Sequence, residues 1–299
     1  MTFWVSVLEA SVRLGVPLLL VALGELIAER SGVINIGLEG MMSAGAYVGF
    51  VTMAGTGSDG AALMAAAVSG AIVAGVMACS AIWTGVNQIL TGFALFVMVP
   101  AATAFLYQQN MSSLIVTPSL PNLAVPYLSQ IPVVGQVLFN QNEFYYIAVC
   151  LCFLIWLLFN RTLLGIQITA CGHDPEVAAS KGVPVLWIRT ASTLICGALA
   201  GVAGAALTVG ALGQFSPGVT GGLGFIAIAA VILGRWRVQG VILAAAAIGL
   251  ADAFRLRIGS QVHFPIQLLG MLPWLVVLLM LIAGARFANV PRALGRNYG

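Results

Sequence analysis

The chain has 299 residues, of which 61% are hydrophobic and 7% charged, with a formal net charge of +3 at pH 7. Soluble domains average about 45–50% apolar and about 25% charged residues, so this composition excludes a soluble globular fold and predicts a polytopic helical membrane protein. The small net charge gives no basis for nucleic-acid binding.

A helix needs about 20 apolar residues to cross about 30 Å of hydrocarbon. Spans are expected near 14–28, 38–55, 61–84, 87–108, 143–160, 187–211, 222–234, 238–253 and 264–284. That is an all-α membrane protein with about nine spans (eight to ten), read as one domain over residues 1–299. FWVSVLEASVR, ahead of the first span, is expected to be a separate interfacial helix with the N-terminus outside. Glu9 and Arg13 precede a full-length apolar stretch, so no cleavable signal peptide is expected.

Polar residues then mark the span ends. Glu25 and Glu29 close the first span and read as interfacial or paired structural charges. Asn35 and Glu39 lie in ERSGVINIGLEGMMSAGAY, four apart and on one face if the segment is helical. Asn87 and Gln88 open the fourth span. A charge near the bilayer centre costs roughly 2.5–3.5 kcal/mol on insertion scales, so such residues are candidates for a pathway or gate. Helix packing through hydrogen bonds is the competing explanation for Asn35, Glu39, Asn87 and Gln88. The segment 109–142 holds Pro118, Pro121, Pro126 and Pro132 without lysine or arginine. It reads equally as an outer lid or docking surface and as inert connection.

The segment 161–189 collects Arg161, His173, Asp174, Glu176 and the chain's one lysine, Lys181. Asp174 can cap a helix that starts at Pro175, and Glu176 is favourable at its positive end. Gly182 and Pro184 stop that helix after about seven residues. Arg161, Lys181 and Arg189 fall on one side with Arg30, Arg235, Arg237, Arg286, Arg292 and Arg296; Arg13, Arg255 and Arg257 fall on the other. The excess of basic residues assigns the first side, with the C-terminus, to the cytoplasm.

Further on, Gly197, Gly201 and Gly204 recur near one helix face, where small residues let helices approach. GQFSPGVTGGLGFIAIAAVILG follows, and its helix after Gly221 has too few apolar residues to span alone. Broken helices at membrane depth are tolerated where they line a cavity or are buried in protein. Phe215, Ser216 and Phe225 are therefore added to the candidate pathway, a structural turn being the alternative. Asp252 and Arg255, three apart, can pair on the eighth span.

Catalytic and metal chemistry lack material. The lysine follows Ser180 rather than a P-loop glycine, and neither HExxH nor GxSxG occurs. His173 and His263 are expected on opposite sides of the membrane. Cys79, Cys150, Cys152, Cys171 and Cys196 have no zinc spacing. No enzyme activity, metal or bound cofactor is expected of this chain.

GHDPEVAASKGVP resembles the cytoplasmic segment of ABC importer permeases of the branched-chain amino acid and ribose group. AERSGVINIGLEGMMSAGAY, NQILTGFAL, FSPGVTGGLGFIAIAAVILGRWRVQG and GLADAFRLR resemble the subgroup that imports nucleosides with basic-membrane-protein-type lipoproteins. The resemblance extends from about Leu18 to Gly295. It implies a fold similar to the vitamin B12-type (type II) importers, with two permease subunits, identical or paralogous, in a bacterial inner membrane. Gly172, His173, Asp174, Pro175, Glu176, Ala178, Ala179, Lys181 and Gly182 would then form a coupling helix seated on a separate ATPase, which holds the ATP and Mg. A periplasmic or lipoprotein binding protein would deliver nucleosides or related purine and pyrimidine compounds. Simple sugars are the next reading, and an autonomous secondary transporter, using Glu39 and Asp252, the third. The sequence departs from relatives that carry two arginines where it has Gln167 and Thr169, and Asp174 replaces the usual asparagine.

Overall fold

The computed structural model describes residues 3–110, 121–131, 133–259, 270–284 and 290–298. Pro118, Pro132, His263, Arg286 and residues 264–269 of the last expected span lie outside them. The first helix, α1 (Phe3–Arg30), is continuous over 28 residues. It is followed by α2 (Leu38–Thr56) and α3 (Asp59–Met77), the latter capped by Ser58 and prolonged as a π-helical stretch over Ala78–Trp83. α4 (Gln88–Asn110) leads to a short antiparallel pair, β1 (Leu123–Ala124) with β2 (Asn140–Gln141), in which Leu123 faces Gln141. α5 (Val134–Leu138) lies between the two strands. Then come α6 (Glu143–Arg161), α7 (Leu163–His173), α8 (Pro175–Ser180) and α9 (Val185–Ala205), which continues as a π-helical stretch over Ala206–Leu212. α10 (Leu223–Leu233), α11 (Val238–Gly259) and α12 (Leu272–Gly284) complete the described helices.

Helices fall at each of the nine expected positions, but among the described residues six are long and apolar enough to cross a membrane. α2 has the length, 19 residues, but Glu39 and four glycines dilute its apolar content. α10, with 11 residues, reaches only about 16 Å at 1.5 Å per residue. FWVSVLEASVR is not a separate interfacial helix. It is the first part of α1, which packs along α11: a Cβ at Gly249 would lie 2.8 Å from the Ser11 carbonyl and 2.9 Å from the Gly15 Cα. That tertiary contact carries the helix through Gly15 and Pro17, where local propensity alone would let it end.

The helices divide into central and peripheral sets. The apolar windows of α1 and α9 are 72% and 78% buried, against 17% for α4 and α6, so the first pair forms the centre. The glycine face of α9 explains its place. A Cβ at Gly201 would strike the Ala66 carbonyl of α3, and one at Gly204 the Met42 carbonyl of α2. Backbones touch here, which is how helices associate where lipid removes the hydrophobic drive between them. α4 and α6 instead carry outward apolar side chains such as Phe93, Val97, Met98, Phe153 and Leu154, as lipid-facing helices must.

Candidate functional site

The polar segment 161–189 folds as two helices rather than one. α7 is capped by Thr162, whose Oγ1 accepts from the Gly165 amide at 3.2 Å. The expectation of a single short helix missed it, although a threonine three residues ahead of that glycine was a cap signal. Asp174 ends α7 through its own amide to the Ala170 carbonyl (2.9 Å) and starts α8 by accepting from Val177 N at 3.1 Å. Pro175 takes the first position, where its missing N–H costs nothing. Gly182, at φ 81°, turns the chain out of the helix. Ala178 is buried and Ala179 packs beside it against Cys171 and Val185, while His173, Asp174, Glu176, Val177, Lys181 and Gly182 are exposed. The product is a polar ridge seated on alanines.

The ridge is anchored by Arg189, read from sequence only as a loop cation. The residue is 1% exposed. Its Nε donates to the Ser31 carbonyl (3.1 Å), Nη2 to Cys171 (3.3 Å) and Nη1 to Arg296 (2.7 Å). The Ala293 amide reaches the Gly172 carbonyl at 2.9 Å, and the Gly295 amide that of Gly32 at 3.0 Å. Gly172 itself abuts the Arg30 carbonyl, leaving no room for a side chain. Burial pushes the Cys171 thiol up from its ordinary pKa. One guanidinium thus joins the end of α1, the end of α7, α9 and the C-terminal residues.

Asn87 and Gln88 belong to the same end of the molecule. Asn87 Oδ1 caps α4 by accepting from Ile89 (2.9 Å) and Leu90 (3.3 Å). Gln88 accepts from the Ile34 amide at 3.0 Å and donates to Asn297 Oδ1 at 3.3 Å. Asn35 lies deeper, wholly buried, its amide N donating to Glu25 Oε1 (3.2 Å) and its Nδ2 to Met41 Sδ (3.2 Å) and Cys196 Sγ (3.5 Å). Glu25 and Glu29 are both buried within the bundle, and Glu29 accepts from the Trp236 indole. Asn35 and Glu39 do not share a helix face, because residues 31–37 form a turn and α2 starts only at Leu38. The turn holds because the Asn35 and Ile34 amides are taken by Glu25 and Gln88.

Glu39, Phe215, Ser216 and Phe225 gather at the break before α10. There Gly213, Gly218, Gly221 and Gly222 all take positive φ, conformations open to glycine. Gly222 is the residue before α10, so no side chain at the helix end can cap it. Glu39 does so from α2: its Oε1 accepts from the Thr220 hydroxyl (2.6 Å) and Gly222 N (2.8 Å), its Oε2 from Gly224 N (2.8 Å). The buried carboxylate meets the positive end of α10. Phe215 is buried among Tyr47, Phe50 and Tyr107, with ring centroids 5.5, 6.3 and 5.1 Å away. Phe225 stacks edge-on to Phe96 at 5.0 Å, and Ser216 is exposed. Asp252 and Arg255 pair as expected, Nε to Oδ1 at 2.7 Å. Among the described residues, no three histidine, cysteine, aspartate or glutamate side chains group as metal ligands.

Residues 7–284 match the family described as branched-chain amino acid transport system, permease component. The chain is 36% identical over 261 residues to the "Putative glucose ABC transporter permease protein TsgC13" of Haloferax volcanii, covering 86% of this chain and 79% of that one. It is 30% identical to the nucleoside ABC transporter permease protein NupC of Lactococcus lactis subsp. cremoris, covering 94% and 93%. The guanosine ABC transporter permease protein NupQ of Bacillus subtilis is likewise 30% identical, covering 98% and 96%.

Proposed function

Because this chain belongs to the family of branched-chain amino acid transport system permease components, and is a permease subunit of an ABC transporter rather than an enzyme, we propose that it forms the translocation pathway of a nucleoside importer. The observation that carries the mechanism is the Asp174-capped ridge fixed to the centre of the bundle through Arg189. An exposed polar helix on a rigid base suits docking against a second protein. We assign it to the coupling helix, with Gly172, His173, Asp174, Pro175, Glu176, Ala178, Ala179, Lys181 and Gly182, seated on a separate ATPase that binds ATP and Mg. The ridge, Arg30 and the C-terminus then face the cytoplasm, in keeping with the excess of basic residues on that side. Closure of the ATPases would push on α8 and switch the pathway between two states. A second permease copy or paralogue would complete the pathway, a binding protein would feed it from outside, and the break before α10, held by Glu39, would line it.

Nucleoside as cargo is supported by two relatives of nearly full coverage whose names specify nucleosides and guanosine. A simple sugar is the second reading, favoured by the relative at 36% identity. Uptake of radiolabelled guanosine, uridine and glucose by a deletion strain, with and without the restored gene, decides between them. Restored nucleoside uptake is expected, and glucose uptake alone would replace the first reading by the second.

A further inference from the structure

We propose that a cavity of about 310 Å³ behind the broken segment, lined by residues of α1, α9, α10, α11 and α12, binds an uncharged solute that combines hydroxyl groups with an aromatic ring, as a nucleoside does. The inference rests on the import function proposed above and places the cargo at residues outside the candidate pathway read from sequence.

The size lies at the lower end of the 300–1,000 Å³ (roughly) found for small-molecule pockets. Leu18, Leu207, Ile226 and Ile248 make its apolar walls, and Asp252, Arg255 and Trp274 face it from α11 and α12. That is the composition of a ligand site, mostly apolar with a few convergent polar groups. Trp274 is positioned by the break itself. A Cβ on Gly222 would lie 3.0 Å from the indole, so the ring rests on a residue without a side chain. Its face offers a stacking surface for a planar ring.

Asp252 and Arg255 supply the hydroxyl-binding chemistry. Their contact is single, Arg255 Nε to Asp252 Oδ1, and their side chains are 25% and 33% exposed. Among the described residues, Asp252 Oδ2 and the two terminal nitrogens of Arg255 carry no hydrogen bond. An acceptor and two donors therefore stand side by side in a pair whose charges cancel, which suits vicinal hydroxyls and ring heteroatoms. The positive end of α10 would otherwise attract an anion at this place, but Glu39 already occupies it. Among the described residues, the one cation at the cavity is Arg255, and its charge is already matched by Asp252, so no net positive charge remains for a phosphate. In the orientation proposed above the cavity lies in the outer half of the bundle, where a binding protein delivers.

The test uses the whole importer, reconstituted in nanodiscs with its ATPase and binding protein and photolabelled with 8-azidoadenosine. Mass spectrometry is expected to place the label on peptides holding residues 252–256 or 270–274. Guanosine and uridine should compete, and adenosine 5′-monophosphate at equal concentration should not. Asp252→Asn, which removes a charged contact, and Trp274→Ala, which removes the stacking face, are each expected to reduce labelling about tenfold. Trp274→Phe, which keeps an aromatic face, should retain it, and copurification of the ATPase reports that each variant is assembled. Label elsewhere on the chain, undiminished labelling of both Asp252→Asn and Trp274→Ala, or competition by the monophosphate overturns the proposal. Nucleoside uptake by the wild type is measured in parallel. Uptake with label mapped elsewhere removes the cavity and leaves the function, whereas absence of both uptake and label removes the two together.

Discussion

The carboxylate of Glu39 sits on the first turn of α10, its Oε2 2.8 Å from the Gly224 amide, with α2 supplying the charge and the glycine the space. A Cβ at Gly224 would come 2.6 Å from the Glu39 amide N, so the two helices meet there through backbone. Glu39→Gln would turn one acceptor oxygen into a donor facing an amide, and is expected to cost about 1–3 kcal/mol, the range for a buried group left unpaired. The check is thermal unfolding of the detergent-solubilised chain: a lower midpoint for Glu39→Gln, and a lower one still for Glu39→Ala.

Gly182→Val should uncouple transport without preventing insertion. At φ 81° a β-branched residue is strained by about 1–3 kcal/mol, and the turn that ends α8 would shift. Uptake is expected to fall while the chain's level in the membrane fraction holds. Unchanged uptake would remove α8 from the coupling role.

Arg189→Lys is not a conservative change at this site. An ammonium cannot reach three carbonyls that a planar guanidinium spans at once. Each bond to a charged donor is worth about 1.5–3 kcal/mol, so a loss of several kcal/mol is expected with Arg189→Ala and a smaller one with lysine. Copurification of the ATPase should weaken with both, and wild-type behaviour of the lysine variant would contradict the anchoring role.

Lys181→Cys should react with a membrane-impermeant maleimide only when the cytoplasmic side is open to it. Cys171, ten residues earlier on the same segment, is buried with its thiol pKa raised, so it holds little thiolate and stays unlabelled from either side. Labelling of position 181 from outside would invert the orientation.

How much of this was visible in the sequence depends on the range of the forces involved. The α8 cap was legible because Asp174, Pro175 and Gly182 act on their own neighbours. The Asp252–Arg255 pair was legible for the same reason, as residues three apart on one helix. Arg189 was not, since its three acceptors come from Ser31, Cys171 and Arg296, brought together only by the packing of α9. Glu39 was singled out as a charge at membrane depth, but its partner, 183 residues later at Gly222, had no local sign. The spacing of Asn35 and Glu39 fits one face if the segment is helical; the amides of residues 34 and 35 find side-chain acceptors instead, and the turn wins. The start of α1 reads as a separate helix in sequence because the contact with α11 that continues it has no local sign.

Arg189 has a mechanical consequence. It belongs to α9, whose glycine face is keyed into the backbones of α2 and α3, so a load applied to α8 by a docked ATPase would not be absorbed at the rim of the bundle. Under the proposed coupling role it would enter through Arg189 into the buried α9, and α2 would carry it on to Glu39 and the foot of α10. If α8 couples as proposed, the ridge and the break would act as members of one lever, with its fulcrum at a single guanidinium.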